Sequence, residues 1–401
     1  MNASISAQGE KLALLGGSPV RTSLLPYARQ TIEADDVAAV SEALTSDWIT
    51  QGPVVARFEE ALAAFGGVAH AVVFSSGTAA LHAACWAAQI GPGDDVITTP
   101  LTFAATANAI VSQGARPVFA DIDPRSLNVD PEAVMRKATA RTRAILPVDF
   151  AGLPCDYDWL LSLARDRGWI VIADAAHSLG GAYRDRPVGA IADMTVFSFH
   201  PAKSITCGEG GAVLTDRADL AERLRRVRHH GIRYLDPQRP WRYEIEQPGQ
   251  NYRLTDFQSA LGLSQLKKLE VFWMARSRLA RRYRELLSGA RFLELPALPQ
   301  GVRHAWHLFV VLLRSERLSA DQDLILQTLR AENIGVQLHY SLIYHHPFYR
   351  KRFGYEPGLC PLAESVERRL MTLPLFASMS EADQDDVLRA LEKVFAHYAR
   401  C

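Results

Sequence analysis

Seven short runs, AHAVVFS, DVITTP, RPVFADI, RAILPVDF, GWIVIAD, DMTVFSFH and GGAVLTD, are apolar at consecutive positions instead of at every second one. A strand of that kind is covered on both faces, which excludes a solvated antiparallel sheet. The segments GTAALHAACWAAQ and TFAATANAIVSQ, lying between such runs, have helical spacing. Strand and helix in alternation predict an α/β fold, a mainly parallel sheet with helices packed on it.

Outside this region the pattern changes. Residues 1–25 read as a poorly ordered N-terminal arm with turn residues Gly16, Gly17 and Pro19. A helix is expected from about residue 33, with Val37, Val40, Ala43 and Leu44 on one side. Residues 26–250 form the large α/β domain in this reading, and 251–401 a connecting helix and a small C-terminal α+β domain. The stretch 254–289 reads as one long connecting helix. The small domain would use strands AWHLFVVLL and IGVQLHY and helices at 319–332 and 379–398.

The chain has 401 residues, 44 Lys+Arg and 44 Asp+Glu. A formal charge of zero without a long basic run argues against a surface built for nucleic acid or an anionic membrane. No run approaches the roughly 18 to 20 apolar residues of a membrane span. The opening MNASISAQGEKLALLGGSPVR lacks the basic start and apolar core of a secretory signal. Five cysteines are widely spaced with no CxxC pair, so a disulfide framework or structural zinc is not expected. The compartment reads as reducing cytoplasm.

The chain has neither GxGxxG after a strand nor GK[ST], which disfavours a dinucleotide dehydrogenase or an NTPase. Three strand ends carry other chemistry. FSSGTAAL (74–81) opens a helix with small hydroxyl residues and Gly77, an anion-binding arrangement that is also an ordinary helix cap. GWIVIADAAHSLG (168–180) ends a buried strand on Asp174, a ligand group or a turn cap. MTVFSFHPAKSITCGEGGAV (194–213) delivers Ser198, His200 and Lys203 before glycines. Lysine is ordinarily a surface residue, yet this one fits a lysine that captures an aldehyde. A phosphate cradle, a buried acid and a lysine on one sheet are what pyridoxal phosphate requires. His200 is a candidate acid–base group by proximity. Cys207 reads as a buried thiol, and 339–355 lacks acids at zinc spacing, so no metal site is expected.

With PYARQTIEADDVAAV, SDWITQGPVVARFE, GPGDDVITTPLTFAATANAI, PVFADIDPRSLNVD, FSFHPAKSITCGEGGAVLT, QNYRLTDFQSALGLSQL and LPLFASMSEADQDDV in this order, the chain resembles the DegT/DnrJ/EryC1/StrS family of pyridoxal-phosphate sugar aminotransferases from about 26 to 395. The resemblance implies the aspartate-aminotransferase-like fold (fold type I) in a homodimer with shared active sites. By motif position it implies Lys203 as the lysine holding the cofactor and shuttling protons, and Asp174 as the acid on the pyridine nitrogen. It implies His177 beside the ring hydroxyl, Phe103 on the ring face, and Thr78, Ala79 and Ser198 on the phosphate. Asn251 would reach the phosphate of the partner subunit. Tyr27, Thr50, Arg253 and His345 are the substrate-contact candidates, with Arg253 matched to the donor carboxylate. Ala173 departs from the Glu common before the aspartate, and Phe103 from the Trp of some members. Lys203, where one relative has His and removes a sugar hydroxyl, implies transamination.

The implied reaction moves the amino group of L-glutamate, leaving 2-oxoglutarate, to the C4 ketone of a nucleotide-linked 4-keto-6-deoxyhexose. The opening segment, SFHPAK and HYSLIYHHPFY most resemble the subgroup aminating UDP-4-keto-6-deoxy-N-acetylhexosamine to UDP-4-amino-4,6-dideoxy-N-acetyl-altrosamine, on the way to pseudaminic acid. Alternatives are a scyllo-inosose (cyclitol) aminotransferase, whose N-terminal extensions KLALLGGSPVR resembles, a C3-keto-sugar aminotransferase, and a catalytically silent cofactor-binding partner.

Overall fold

The computed structural model describes residues 10–236, 238–239 and 241–400. All seven apolar runs are strands of one sheet: β1 (His70–Phe74), β2 (Asp95–Thr98), β3 (Arg116–Phe119), β4 (Thr142–Leu146), β5 (Ile170–Asp174), β6 (Met194–Ser198) and β7 (Gly211–Thr215). Their order is β1-β7-β6-β5-β4-β2-β3. The five strands β2 to β6 pair in parallel, whereas β7 runs antiparallel to both β6 and β1. Parallel neighbours need a crossover, usually a helix. β6 and β7 are joined only by the loop 199–210, so the chain turns back, and that loop carries Lys203.

Consecutive strand residues divide between two cores, which explains the unbroken apolar runs. Val72, Val196 and Val213 face one side with Leu81, Ala84 and Ile110. Val73, Phe197 and Leu214 face the other with Phe58 and Leu62. Each fully buried side chain of this size contributes roughly 1.5–3 kcal/mol. The first long helices of the chain are α1 (Ala34–Leu44), α2 (Pro53–Gly66), α3 (Gly77–Ala87) and α4 (Ala104–Ser112). The small C-terminal α+β domain has an antiparallel sheet of Leu293–Glu294, Phe309–Leu313 and Leu370–Leu373. Its core includes Tyr283, Phe309, Ile325, Leu329, Met371, Val387 and Phe395.

Several local expectations are corrected. The stretch 254–289 is two helices, Asp256–Leu266 and Leu269–Leu286. At the break Lys268 donates to Glu33, Asp35 and Asp36, which ties the junction to the start of α1. IGVQLHY forms only isolated bridges, Leu25 to Ile334 and Gln337 to Thr372, and no strand. Helix α1 buries Asp36 and Ala43, while Val37 and Leu44 are exposed. Asp36 turns inward because Gln265 and Lys268 meet its carboxylate.

Residues 1–9 of the expected arm lie outside the described residues, as does Cys401. The segment from residue 10 is packed, contrary to the expectation of a poorly ordered arm. Leu12 and Leu25 join the small-domain core, and Arg21 pairs with Asp383 and Asp386. The carboxylate of Glu332 accepts from the Ala13 and Val20 amides and from Lys393. Among the described residues no helix is long and apolar enough to cross a membrane.

Candidate active site

Register brings the chemistry-bearing strand ends together. Asp174, last in β5, pairs with Val196, and Ser198, last in β6, pairs with Gly211. Gly211 pairs in turn with Phe74, last in β1. The carboxyl ends of β5, β6 and β1 therefore lie along one edge, where ligands of open α/β sheets bind. Lys203 rises from the adjoining loop, its amide donating to His200 O at 2.8 Å. Its carbonyl accepts from the buried guanidinium of Arg276 at 3.1 Å.

Two opposite charges define the electrostatics. Burial pushes the Asp174 carboxyl above the ordinary carboxylate range, while hydrogen bonds from Thr106 and Ala176 and the Lys203 charge pull it back. Thr106 Oγ1 donates to Asp174 Oδ2 at 2.7 Å, and the Ala176 amide to Oδ1 at 3.2 Å. Burial lowers the Lys203 amine to about 8, against the pull of Asp174. Three buried histidines, His177, His307 and His339, complete the surroundings. Burial, and secondarily the Lys203 charge, lowers all three, His339 to about 4 and the others well below the ordinary value. Neutral rings beside an amine that burial moves towards its free base are consistent with one another.

His177 Nε2 lies 3.1 Å from the Tyr340 hydroxyl, and its Nδ1 is buried without a protein partner among the described residues. Its ring packs at 4.4 Å on His307. The turn Phe150–Gly152 holds the pair together, with Ala305 donating to Gly152 O and Leu308 to Ala151 O. Gly152 has φ 99°, and a Cβ there would stand 2.8 Å from His177 O, so the turn requires glycine.

At the start of α3, Ser76 Oγ accepts from the Ala79 amide at 3.1 Å. Gly77 packs against β6 so closely that a Cβ would meet Ser198 Oγ at 2.9 Å. Thr78 lies beside them. The first amides of a helix have no intrahelical acceptor, and those of Gly77 and Thr78, ahead of the capped Ala79, are left as anion donors. Phe103 caps α4 and is 58% exposed, an unusual position for a large ring, with Tyr340 at 5.8 Å. Tyr27 approaches His339 at 5.0 Å.

Other candidates are held elsewhere within the single chain. Arg253 meets His229 Nδ1 at 2.9 Å and lines a separate cavity of about 580 Å³ whose walls include neither Lys203 nor Asp174. Asn251 bridges His229, and Thr50 bridges Thr255. His345 is engaged by Glu367 at 3.0 Å. His200 is exposed and accepts from the Ala202 amide, and burial pushes the Cys207 thiol up, as an inert core cysteine requires. Five residues of the site go beyond the sequence reading: Thr106, Arg276, His307, His339 and Tyr340. Nothing local marks them, although Thr106 stands three residues after Phe103, and His339 and Tyr340 fall in the histidine-rich stretch.

Comparison with known proteins gives the family of the chain. The profile of the DegT/DnrJ/EryC1/StrS aminotransferase family matches residues 30–392. The chain belongs to that family. It is 41% identical over 380 residues to the spore coat polysaccharide biosynthesis protein SpsC of Bacillus subtilis, covering 93% of this chain and 98% of that one. Helicobacter pylori PseC, an aminotransferase involved in the biosynthesis of pseudoaminic acid, superposes with TM-score 0.87 at 33% identity, over 93% of this chain and 99% of that one. The pyridoxal-phosphate form of the putative sugar aminotransferase Spr1654 of Streptococcus pneumoniae gives TM-score 0.85 at 27% identity, over 92% and 99% of the two chains. The fold is that of the pyridoxal-phosphate-dependent aminotransferases, and the protein is a sugar aminotransferase of this family with pyridoxal phosphate as cofactor.

The residues present fit that cofactor. The close packing of Gly77 on Ser198 sets the first turn of α3 beside the end of β6, and the buried Nδ1 of His177 lacks a protein partner among the described residues. A buried carboxylate and a buried amine, each shifted towards neutrality, suit a group carrying a basic ring nitrogen and an aldehyde.

Proposed function

We propose that this aminotransferase moves the amino group of L-glutamate to the C4 ketone of a nucleotide-linked 4-keto-6-deoxyhexose, UDP-4-keto-6-deoxy-N-acetylhexosamine foremost. The observation that carries the aminotransfer reading is the buried Lys203 amine on the loop beside Asp174, lowered to about 8 by burial against the opposing pull of the Asp174 carboxylate. The likeness to PseC and SpsC, both named for saccharide biosynthesis, supports the sugar class.

Pyridoxal phosphate, when bound, supplies an electron sink for the pair left by a broken Cα–H bond and carries the amino group between substrates. Asp174 would meet the ring nitrogen and keep the proton on it. His177 would stand by the ring hydroxyl, and Phe103 by a ring face. The Thr78 and Ala79 end of α3, with Ser198, would hold the phosphate. Lys203 would hold the aldehyde at rest. As a free base its Nζ takes the Cα proton of glutamate, and in the second half-reaction it delivers a proton to C4 of the sugar. A lysine near 8 is suited to both directions at neutral pH.

Tyr27, beside His339, is the sugar-contact candidate nearest this cluster. Asn251 acts on the phosphate from the second subunit of a homodimer in this reading, and Arg253 for the donor carboxylate and Thr50 for the sugar nucleotide are further substrate-contact candidates. His345, tied to Glu367, is the remaining substrate-contact candidate. Four buried free cysteines, Cys85, Cys155, Cys207 and Cys360, suit the reducing cytoplasm.

The test is an absorbance titration of the cofactor-loaded protein with L-glutamate, beside Lys203→Ala, followed by product analysis on a panel of keto sugars. Loss of the visible band in the wild type only, 2-oxoglutarate formation and an amine at C4 are expected. An amine at C3, or turnover confined to scyllo-inosose, overturns the substrate class. A band that ignores every amino donor overturns the enzymatic reading.

A further inference from the structure

Thr106, in the first turn of α4, and Thr102, two residues ahead of that helix, are both buried. A threonine in a helix ordinarily returns its hydroxyl proton to a carbonyl in the preceding turn. Thr106 instead directs its proton across to another element, onto Asp174 Oδ2 at 2.7 Å. A hydroxyl has one proton. With that proton committed, the 2.7 Å contact between Thr102 Oγ1 and Thr106 Oγ1 has a single direction, Thr102 donating and Thr106 accepting. Two hydroxyl dipoles thus stand in series with their positive ends towards one buried carboxylate, an arrangement in which each bond strengthens the next.

The geometry points to Thr106, backed by Thr102, as a positioning residue that orients the Asp174 carboxylate and stabilises its negative charge for the cofactor ring. This role rests on the reading of Asp174 as the acid on the ring nitrogen. The Ala176 amide binds Oδ1, so the two donors take different oxygens and fix the carboxylate plane. The same segment presents Phe103, and the Thr106 amide donates to Phe103 O at 3.2 Å, so one helix start sets both the stacking ring and the acid. Burial drives Asp174 towards its neutral form, and the Thr106 hydrogen bond is the largest influence opposing it.

The experiment measures the dissociation constant of pyridoxal phosphate by titrating apoprotein, with Thr106→Val, Thr106→Ser, Thr102→Val, Asp174→Asn and the double variant Thr106→Val/Asp174→Asn. A hydrogen bond to a charged group is worth about 1.5–3 kcal/mol, roughly a ten- to hundredfold change. Thr106→Val is expected to weaken binding by about that factor, Thr106→Ser to restore it, and Thr102→Val to weaken it less. In the Asp174→Asn background Thr106→Val should add little, because no charge remains to stabilise. Thermal unfolding of the apo variants checks that the fold is retained. Wild-type binding by Thr106→Val overturns the inference alone. So does a Thr106→Val penalty that is as large in the Asp174→Asn background as in the wild type. Unchanged binding by Asp174→Asn overturns the reading of Asp174 with it.

Discussion

His177 and His307 meet ring to ring at 4.4 Å, both buried and each with its Nδ1 unpartnered within the protein among the described residues. A charge on either ring would face the other and the Lys203 ammonium, and both are held well below the ordinary histidine value, chiefly by burial. A lowered value means the neutral form persists to more acidic pH. Nitrogen-15 spectra of the imidazoles at about pH 6, just below the ordinary histidine value, should show both rings neutral. A protonated His177 at that pH would contradict the electrostatic account of the site.

The Lys203 amine, at about 8 instead of the ordinary 10.5, should capture pyridoxal phosphate faster as pH rises through about 8. The neutral amine is the nucleophile, and it is the form that burial favours. Asp174 acts the other way, stabilising the ammonium, so Asp174→Asn should move the midpoint lower. Stopped-flow absorbance of apoprotein against pH reads both. A midpoint that rises in the variant would refute the sign.

Glu332 and Lys393 form a buried pair at 2.9 Å, and Glu332 also receives the Ala13 and Val20 amides. Removing one partner of a buried pair leaves the other uncompensated, at a cost of about 3–5 kcal/mol. Glu332→Ala should lower the unfolding midpoint markedly and release residues 10–25 to proteolysis. A variant with wild-type stability and an uncut segment would show that the pair does not anchor it.

A Cβ at Gly211 would stand 2.6 Å from Ser76 O, and backbone cannot step aside as a side chain can. Gly211→Ala should therefore part β7 from the start of α3, costing about 1–3 kcal/mol, and reduce retention of pyridoxal phosphate. Gel filtration followed by cofactor absorbance measures the retention, which should fall well before the protein unfolds. Full retention would mean the close approach has no bearing on the phosphate site.

Much of the large domain is legible in the sequence because unbroken apolar runs demand cover on both faces, and all seven runs are strands of one sheet. Asp174, Ser198 and the loop with Lys203 stand out at strand ends since polar groups there break the apolar pattern. The 254–289 stretch reads as one helix because its continuous helical spacing carries no sign of the Lys268 anchor at the break. IGVQLHY has the composition of a strand, yet whether a partner lies alongside is not a local property.

Which segments had to be buried, and which short-range groups stood at their ends, can be read along the chain, because periodicity and capping act over a few residues. That Thr106 meets Asp174, that His307 packs on His177 and that Arg276 grips the Lys203 loop came from the folded arrangement. Those contacts join residues 68, 130 and 73 positions apart. Strand order, register and the reversal at β7 set such distances, and a lone buried hydroxyl or imidazole does not announce in advance which partner will satisfy it.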